Sequence, residues 1–349
     1  MKSKNIKWGT SLRRFPWSFK RELDPYETLT NNTLLEWYYA KHSVASDEEI
    51  KLLNSIEPNS CPYCFNRGIS KYGFTTNRIR RYKCSNCNKT FTILTDTIFD
   101  SHKIPISEWF EFLLHLFEYH SIKTTSRDNK NSTSTGQYWL KKVFSVLEHY
   151  QDNIITRDNV YLDECFFSVK KKDTVLKDGK KLRGISKNKL CVASLYDFKS
   201  VLLLVEYTSK PSFKSTYNTL ISRIKEGSTL IHDKEKTHSI LVNKLKLKSI
   251  VFDSTSIKDL EDEDNPLYPI NHIHSLVKSF MREHKGYNRD NLQDYMNLIS
   301  FILNEPHNSY QKLIEFIKMA ISTHERVKYR DVMKKKRPKL DAKHQHGAN

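Results

Sequence analysis

Two pairs of closely spaced cysteines constrain the fold of this 349-residue chain more than any other feature. Cys61 and Cys64 form one Cys-x-x-Cys pair, and Cys84 and Cys87 form a second pair after nineteen intervening residues. Each pair makes a tight turn that directs two thiolates at one ion, so two pairs complete a tetrahedral site. The spacing predicts a zinc ribbon whose Zn²⁺ is structural, because four cysteines leave no open coordination position.

The chain around and beyond these cysteines is strongly basic. Residues 58–100 are expected to form the ribbon, and the segment between its cysteine pairs includes the cations Arg78, Arg80, Arg81 and Lys83. Over the whole chain 58 Lys and Arg oppose 40 Asp and Glu, which gives a formal net charge of +18. This surplus favours a polyanionic partner, since neutralising phosphates releases counterions. We therefore expect these cations to contact a DNA backbone.

The sequence also predicts a compartment. No apolar run approaches the roughly 20 residues that a membrane span needs, and the basic N-terminus lacks the apolar stretch of a secretory signal. Cysteines in Cys-x-x-Cys pairs favour metal over disulfides in a reducing compartment, so a cytoplasmic location is expected. Residues 1–57 carry no motif that indicates a role, and residues 326–349 are expected to form a basic tail.

Residues 104–150 show helical periodicity. Ser107 can cap a first helix, a short second helix is expected to start at Ser121, and Ser132 or Ser134 can cap a third. The pattern fits a helix-turn-helix or a plain helical hairpin, and the neighbouring basic ribbon favours the helix-turn-helix. The side chains expected to face the DNA groove are Thr135, Gln137, Tyr138 and Lys141.

Residues 158–325 are predicted to form an α/β domain. Its first strand ends on Asp163, two strands and a helix follow, and a fourth strand ends on Asp233. This is the element order of an RNase H-like sheet, in which the first and fourth strands are neighbours and the two carboxylates would meet. Mg²⁺ is usually bound by one or two acids plus a substrate phosphate. Glu164 and Glu235 are close enough in sequence to remain alternative acids.

A later predicted helix carries the third element of this site. Asn271, His274 and Lys278 have the spacing i, i+3, i+7, so they share one helix face. That face offers an amide oxygen to a metal and an ammonium group to a phosphate. Considered alone, the same pattern also fits a solvated polar face.

Together these motifs resemble the insertion-sequence transposases that combine an N-terminal zinc ribbon with a DDE-type RNase H-like domain. Within that group the chain is similar to the branch with an Asp, Asp, Asn or Glu, then Lys signature. The resemblance spans roughly residues 61–303, and its most specific parts are the paired cysteines, the Leu-Asp-Glu of the first strand and the Asn-His-Ile-His-Ser-Leu-Val-Lys helix. It implies that Asp163, Asp233 and Asn271 bind Mg²⁺ or Mn²⁺ and that Lys278 contacts DNA near the scissile phosphate.

The resulting expectation is a multidomain α+β protein: a four-cysteine zinc ribbon, a helix-turn-helix and an RNase H-like α/β catalytic domain with C-terminal helices. It is expected to cut the terminal inverted repeats of an element and join them to target DNA, as a homodimer or larger assembly on double-stranded DNA. Asn271 removes one charge from the usual acidic triad, so a DNA-binding regulator with an inactive catalytic domain is the alternative. A repair nuclease without strand transfer is a third.

Overall fold

A computed structural model describes residues 47–100, 106–170, 173–182, 184, 186–206 and 209–333. The expectations for residues 1–46 and for the tail beyond residue 333 lie outside the described residues. Within the described part of the chain, no helix is both long enough and apolar enough to cross a membrane.

The chain alternates between strand and helical segments in the described residues. The helices are α1 (Asp47–Ser55), α2 (Ser107–Phe117), α3 (Ile122–Asp128), α4 (Thr133–Leu147), α5 (Phe213–Leu220), α6 (Ser239–Leu245), α7 (Tyr268–Glu283), α8 (Leu292–Leu303), α9 (Ser309–Ser322) and α10 (Tyr329–Met333), with short 3-10 helices at Lys236–His238 and Arg289–Asn291. The strands are β1 (Ile69–Phe74), β2 (Arg80–Cys84), β3 (Thr90–Phe91), β4 (Asn159–Ser168), β5 (Leu176–Lys177), β6 (Lys180–Lys181), β7 (Lys189–Tyr196), β8 (Val201–Val205), β9 (Thr229–Asp233) and β10 (Lys248–Phe252).

The N-terminal sheet is small and antiparallel, in the order β1-β2-β3. Its core consists of Tyr82 and Phe91, whose stacked rings have centroids 5.8 Å apart, together with Cys61 and Cys84. So few apolar side chains give this unit little hydrophobic stabilisation, and small units of this kind usually depend on a metal or a disulfide. The four cysteines are all reduced.

The large sheet has five strands in the order β10-β9-β4-β7-β8. Strands β4, β7 and β8 form an antiparallel meander, whereas β9 and β10 run parallel to β4 after the crossover helices α5 and α6. The first and fourth strands are therefore neighbours, as the sequence predicted. The expected strand end at Asp163 is wrong, because β4 continues to Ser168 by pairing with β7. The protein is a mixed α+β structure built on a mixed sheet.

Strand β8 forms one edge of this sheet, and side-chain amides cover its backbone. Val201 N–H donates to Asn304 Oδ1 at 2.6 Å, Leu203 N–H to Gln151 Oε1 at 2.7 Å and Val205 N–H to Gln293 Oε1 at 2.8 Å. Unpaired edge groups are costly when buried and can template further strands. These carboxamides satisfy the edge and fix α8 against the sheet.

The three predicted helices before the large sheet are α2, α3 and α4. Ser121 caps α3 and Ser132 caps α4, each accepting a hydrogen bond from a backbone N–H three residues later. The expected cap at Ser107 is wrong, because Ser107 is already inside α2. The carboxylate of Glu49 instead accepts the N–H groups of Ile106 and Ser107 at 2.9 and 3.1 Å, so α1 supplies this cap from a distant part of the chain.

These helices and the large sheet share one hydrophobic core. Trp109 of α2 stacks on Trp139 of α4 with ring centroids 4.3 Å apart, and the same cluster of buried residues continues through Val192 of β7 and Phe280 of α7. A second, smaller cluster fills the other face of the sheet beneath α5 and α6. The site helix α7 is thus held between the sheet and the helical segment.

We predict that Gly136→Ala destabilises the protein. A Cβ at Gly136 would overlap the hydroxyl of Ser126 in α3 and lie 3.2 Å from a methyl of Ile122. Overpacking of this kind costs about 1–3 kcal/mol in free energy of unfolding, whereas Ala in an uncrowded helix would gain about 1 kcal/mol over Gly. Chemical denaturation measures the free energy of unfolding, and the sign of its change therefore tests whether α3 packs closely against Gly136.

The control is the same substitution in a Ser126→Gly background. Removing the Ser126 side chain removes the overlap and leaves only the 3.2 Å approach to Ile122, so Gly136→Ala should there cost much less stability. Destabilisation of equal size in both backgrounds would contradict close packing of α3 on α4.

Candidate acidic site and cysteine cluster

Asp163 and Asp233 lie side by side on one face of the large sheet. Leu162 of β4 is paired with His232 of β9 in parallel register, so the residue after each is an aspartate at the same level. Side chains alternate between the faces of a strand. Asp163 therefore faces the core on the side of α7, and Asp233 lies on the same face as Ile231 of that core.

The environment of Asp163 disfavours its charged form. Burial raises the pKa of its carboxyl group to about 7, and the negative charges of Glu164 and Asp233 add to the effect. A backbone N–H from Glu164 donates to Asp163 Oδ1 at 2.8 Å and acts in the opposite direction. Two crowded carboxylates of this kind are stabilised by a bound cation, since it removes their mutual repulsion.

His274 is the residue of α7 that contacts Asp163. Its Nδ1 lies 3.6 Å from Asp163 Oδ2, and its Nε2 lies 3.0 Å from the hydroxyl of Ser194, which is paired with Asp163 across β7. Burial lowers the pKa of His274 to about 4, so the ring is neutral at pH 7. The sequence placed His274 on this helix face but assigned it no role.

Asn271 and Lys278 flank His274 on α7, one turn to either side, and both are exposed. Burial lowers the pKa of His274 and raises the pKa of Cys165. The positive charge of Lys278 is close enough to both groups to act on each as a smaller, lowering effect. Ile270, Ile273, Val277 and Phe280 form the buried stripe of the helix. Asn271 and Lys278 thus have exposed side chains on the helix that brings His274 to Asp163.

Glu164 points to the opposite face of the sheet from Asp163. Its carboxylate is 5% exposed and lies 2.8 Å from Nε2 of His238, whose Nδ1 lies 3.0 Å from Nδ1 of His232. Burial lowers the pKa of His238, but the Glu164 carboxylate outweighs it and the net shift is upward. This buried chain ties β4 to β9 directly behind the two aspartates.

The two alternative acids are engaged elsewhere in the structure. Glu164 is bonded to His238, and Glu235 caps the 3-10 helix by accepting the N–H of Thr237 at 3.2 Å. The partners of Glu164 escaped the sequence analysis because His232 and His238 lie far from it along the chain. Alternation along β4 is the one signal that separates Asp163 from Glu164.

The four paired cysteines converge on one point. Cys61 Sγ lies 3.6 Å from Cys87 Sγ, and Cys64 Sγ lies 3.6 Å from Cys84 Sγ. The sulfurs of a tetrahedral zinc site lie about 3.8 Å apart, so this cluster could hold Zn²⁺ with little rearrangement. The backbone N–H of Asn66 is the main cause that lowers the pKa of Cys64 to about 6, which favours the thiolate that a metal requires.

The surface of the β1–β2 hairpin combines cations with exposed aromatic rings. The guanidinium of Arg80 lies 4.1 Å from the ring centroid of Phe74, and Arg81 and Lys83 both lie over Tyr72. Such pairs hold the charges in place at the surface. A separate member of the predicted set, Arg78, forms a 2.7 Å salt bridge with Asp47.

The side chains predicted to read a DNA groove from α4 differ in exposure. Gln137 is exposed and Thr135 is half-buried. The hydroxyl of Tyr138 donates to the carbonyl of Val327 at 2.6 Å, and Lys141 lies 4.0 Å from Asp294. Tyr138 and Lys141 therefore contact the C-terminal helical region of the same chain.

Comparisons with known proteins give a weak structural likeness only. No family model and no curated protein matches this chain. Among solved structures, it is similar to the Mos1 strand transfer complex, with 12% identity and a TM-score of 0.26 over 63% of this chain and 78% of that one. It is also similar to a pre-cleavage Mos1 transpososome, with 10% identity and a TM-score of 0.24 over 88% of this chain and 100% of that one.

We predict that Asp163→Asn stabilises the metal-free protein at pH 8. The folded-state pKa of about 7 exceeds the ordinary value of 3.8, so the stability contributed by neutral Asp163 is complete below about pH 4 and is lost as the pH rises through 7. Asn keeps the neutral form at every pH. At about 1.4 kcal/mol per pKa unit, chemical denaturation should show a gain of up to about 4 kcal/mol at pH 8 that shrinks towards pH 4.

Two comparisons make this test specific. Asp178→Asn, on the exposed turn between β5 and β6, is the control for losing one carboxylate. Added Mg²⁺ should raise the stability of the wild type and leave Asp163→Asn unchanged. A difference between wild type and Asp163→Asn that is constant from pH 4 to pH 8 would contradict the proposed environment.

Proposed function

We propose that this protein is the DNA transposase of an insertion sequence, an enzyme that cuts the ends of the element and joins them to target DNA. The observation that carries the proposal is the meeting of Asp163 and Asp233 on neighbouring parallel strands, on the face covered by α7. Strand order supports an RNase H-like catalytic domain, since an antiparallel meander is followed by two strands parallel to its first member.

The donor atoms at this site fit Mg²⁺ or Mn²⁺. Both aspartates offer carboxylate oxygens, the ligands that these ions prefer, and their crowding favours a cation. Asn271, one turn before His274 on α7, is the proposed third ligand. When bound, the metal ions would activate the attacking oxygen and stabilise the leaving oxygen of a phosphoryl transfer.

The side chains around these ligands have separate roles in the proposal. His274 holds the Asp163 carboxylate in place through Nδ1 while Ser194 fixes its ring. Lys278, exposed at the rim, binds the DNA phosphate next to the scissile bond. A water attacks that bond first, and the freed 3′-hydroxyl then attacks target DNA.

DNA is held by surfaces outside the acidic site. The cysteine cluster binds a structural Zn²⁺ that keeps the β1–β2 hairpin folded, and the hairpin presents Arg80, Arg81 and Lys83 to the phosphate backbone. Helices α3 and α4 act as a helix-turn-helix in which exposed Gln137 is best placed to reach a base. Two element ends must be cut together, so a homodimer or larger assembly on DNA is part of the proposal.

The first experiment is divalent-metal-dependent cleavage of a supercoiled plasmid that carries the element. Wild-type protein should nick or linearise the plasmid at the element ends with Mg²⁺ or Mn²⁺. Asp163→Ala and Asp233→Ala should reduce cleavage to the background seen with a chelator, because each removes a metal ligand. Glu226→Ala is the matched control, since this exposed acid is paired with Lys246 away from the site.

The outcomes separate the three candidate functions. Cleavage followed by joining of a 3′ end to target DNA supports a transposase, and cleavage without joining supports a nuclease. Sequence-specific DNA binding that is unaffected by Asp163→Ala, with no cleavage by any variant, would replace the proposal with a DNA-binding regulator.

A second set of variants tests the roles on α7. Asn271→Ala should raise the Mn²⁺ concentration needed for half-maximal cleavage, because it removes a ligand. His274→Ala should lower the cleavage rate by about 10–100-fold, as loss of a group that orients a ligand typically does. Lys278→Ala should raise the KM for DNA and leave the metal dependence unchanged.

Different outcomes of these three measurements would contradict the roles proposed for the α7 residues. If His274→Ala shifts the metal dependence and Asn271→Ala does not, His274 is the third ligand. If Lys278→Ala leaves the KM for DNA unchanged at several salt concentrations, Lys278 does not bind the phosphate.

A further inference from the structure

Three potential metal ligands outside both sites described above come together where α2 meets α3. His115 lies in the last turn of α2, His120 in the connection between the helices, and Asp128 is the last residue of α3. One ligand atom from each lies within 4.8 Å of the others, and the two imidazole centroids are 4.9 Å apart.

The local backbone creates this arrangement. After α2 the chain turns through Tyr119, which has a positive φ of 69°, and the N–H of His120 donates to the carbonyl of His115 at 2.9 Å. Ser121 then caps α3 at once. Because this turn is fixed by backbone hydrogen bonds, the two histidines are held beside each other before any ligand binds.

Each imidazole has one nitrogen that makes no hydrogen bond with the described residues. Nδ1 of His115 and Nδ1 of His120 are both buried, and neither has a hydrogen-bond partner in the described part of the chain. Buried polar atoms are nearly always bonded, and such exceptions call for a specific explanation. A metal ion or an ordered water between the rings would supply it.

We propose that His115, His120 and Asp128 bind a transition-metal ion, with Zn²⁺ as the favoured ion. Imidazole nitrogens select Zn²⁺ and similar ions over Mg²⁺ and Ca²⁺, and two histidines with one carboxylate form a familiar zinc ligand set. The ligand atoms of a tetrahedral zinc lie about 3.3 Å apart, so small side-chain rotations close the site. The Arg127 guanidinium, 3.0 Å from Asp128 Oδ1, orients the carboxylate.

The proposed metal site would stabilise the relative orientation of two helices. The ion joins the C-terminal ends of α2 and α3 and therefore fixes the angle between them. Helix α3 in turn packs against α4 through Gly136, so the metal sets the geometry of the whole three-helix segment. With three protein ligands the ion keeps one position for water, unlike the closed cysteine site.

Metal content of the purified full chain tests the proposal. Every protein carries Asp163→Asn, so that Zn²⁺ does not enter the acidic site, and each is dialysed against low Zn²⁺ before measurement by inductively coupled plasma mass spectrometry. His115→Ala and His120→Ala should each lose one equivalent of zinc relative to this parent. The matched control is His149→Ala, which removes an exposed histidine that is paired with Asp152 at 2.8 Å.

Cobalt substitution identifies which site is lost. Co²⁺ bound to the four cysteines gives a thiolate charge-transfer band in the near ultraviolet, whereas Co²⁺ on nitrogen and oxygen ligands gives only visible bands. His120→Ala should lose only the visible absorption of the nitrogen–oxygen site and keep the charge-transfer band, whereas Cys61→Ser should weaken the charge-transfer band together with the visible bands of the cysteine site. Retention of the charge-transfer band shows that the cysteine-bearing unit is folded, and an unchanged far-ultraviolet circular dichroism spectrum shows that the helices are folded.

Two results would overturn the proposal. Equal zinc content in the parent and in both histidine variants would mean that the rings bind water and no metal. Loss of zinc from His149→Ala as well would mean that histidines bind it without a built site.

Discussion

Strand β4 determines the arrangement of the candidate site, because it lies inside the sheet and has hydrogen-bonded neighbours on both sides. Its two-residue alternation sends Asp163 to the α7 face and Glu164 to the opposite face. In the parallel neighbour β9, Asp233 lies on the same face as Asp163 and His232 lies on the same face as Glu164. A slip of one residue in either strand would exchange the two faces and bury the wrong carboxylate.

The two faces of the β4–β9 strand pair carry different groups, and the hydrogen-bonded network on one face supports the aspartates on the other. Behind the aspartates, Glu164, His238 and His232 form a buried hydrogen-bonded chain that ties β4 to β9 and continues to the hydroxyl of Ser249 in β10. In front, desolvation and like charge keep Asp163 poised for a cation. This buried network fixes the parts of β4 and β9 that carry the two aspartates, so the carboxylates of the proposed metal site would need little reorganisation to bind an ion.

Helix α7 can contact this site only because the remaining helices hold it there. The edge strand β8 donates backbone hydrogen bonds to the carboxamides of Gln151, Gln293 and Asn304, and these bonds hold α8 against the sheet. The helical segment α2–α4 shares the same core, with Phe144 of α4 in edge contact with Tyr295 of α8 at 4.9 Å. The segments that the sequence separates into a DNA-binding and a catalytic part are therefore packed as one body.

The sequence by itself determined those features that depend on local spacing. The cysteine pairs, the serine cap of α4 and the strand end at Asp233 follow from short patterns, because turns, caps and strand alternation act over a few residues. Tertiary structure decided what depends on distant partners. The Glu49 cap of α2, the contact of His274 with Asp163 and the engagement of Lys141 with Asp294 join residues far apart along the chain, and no local pattern encodes which side chains meet across a folded core.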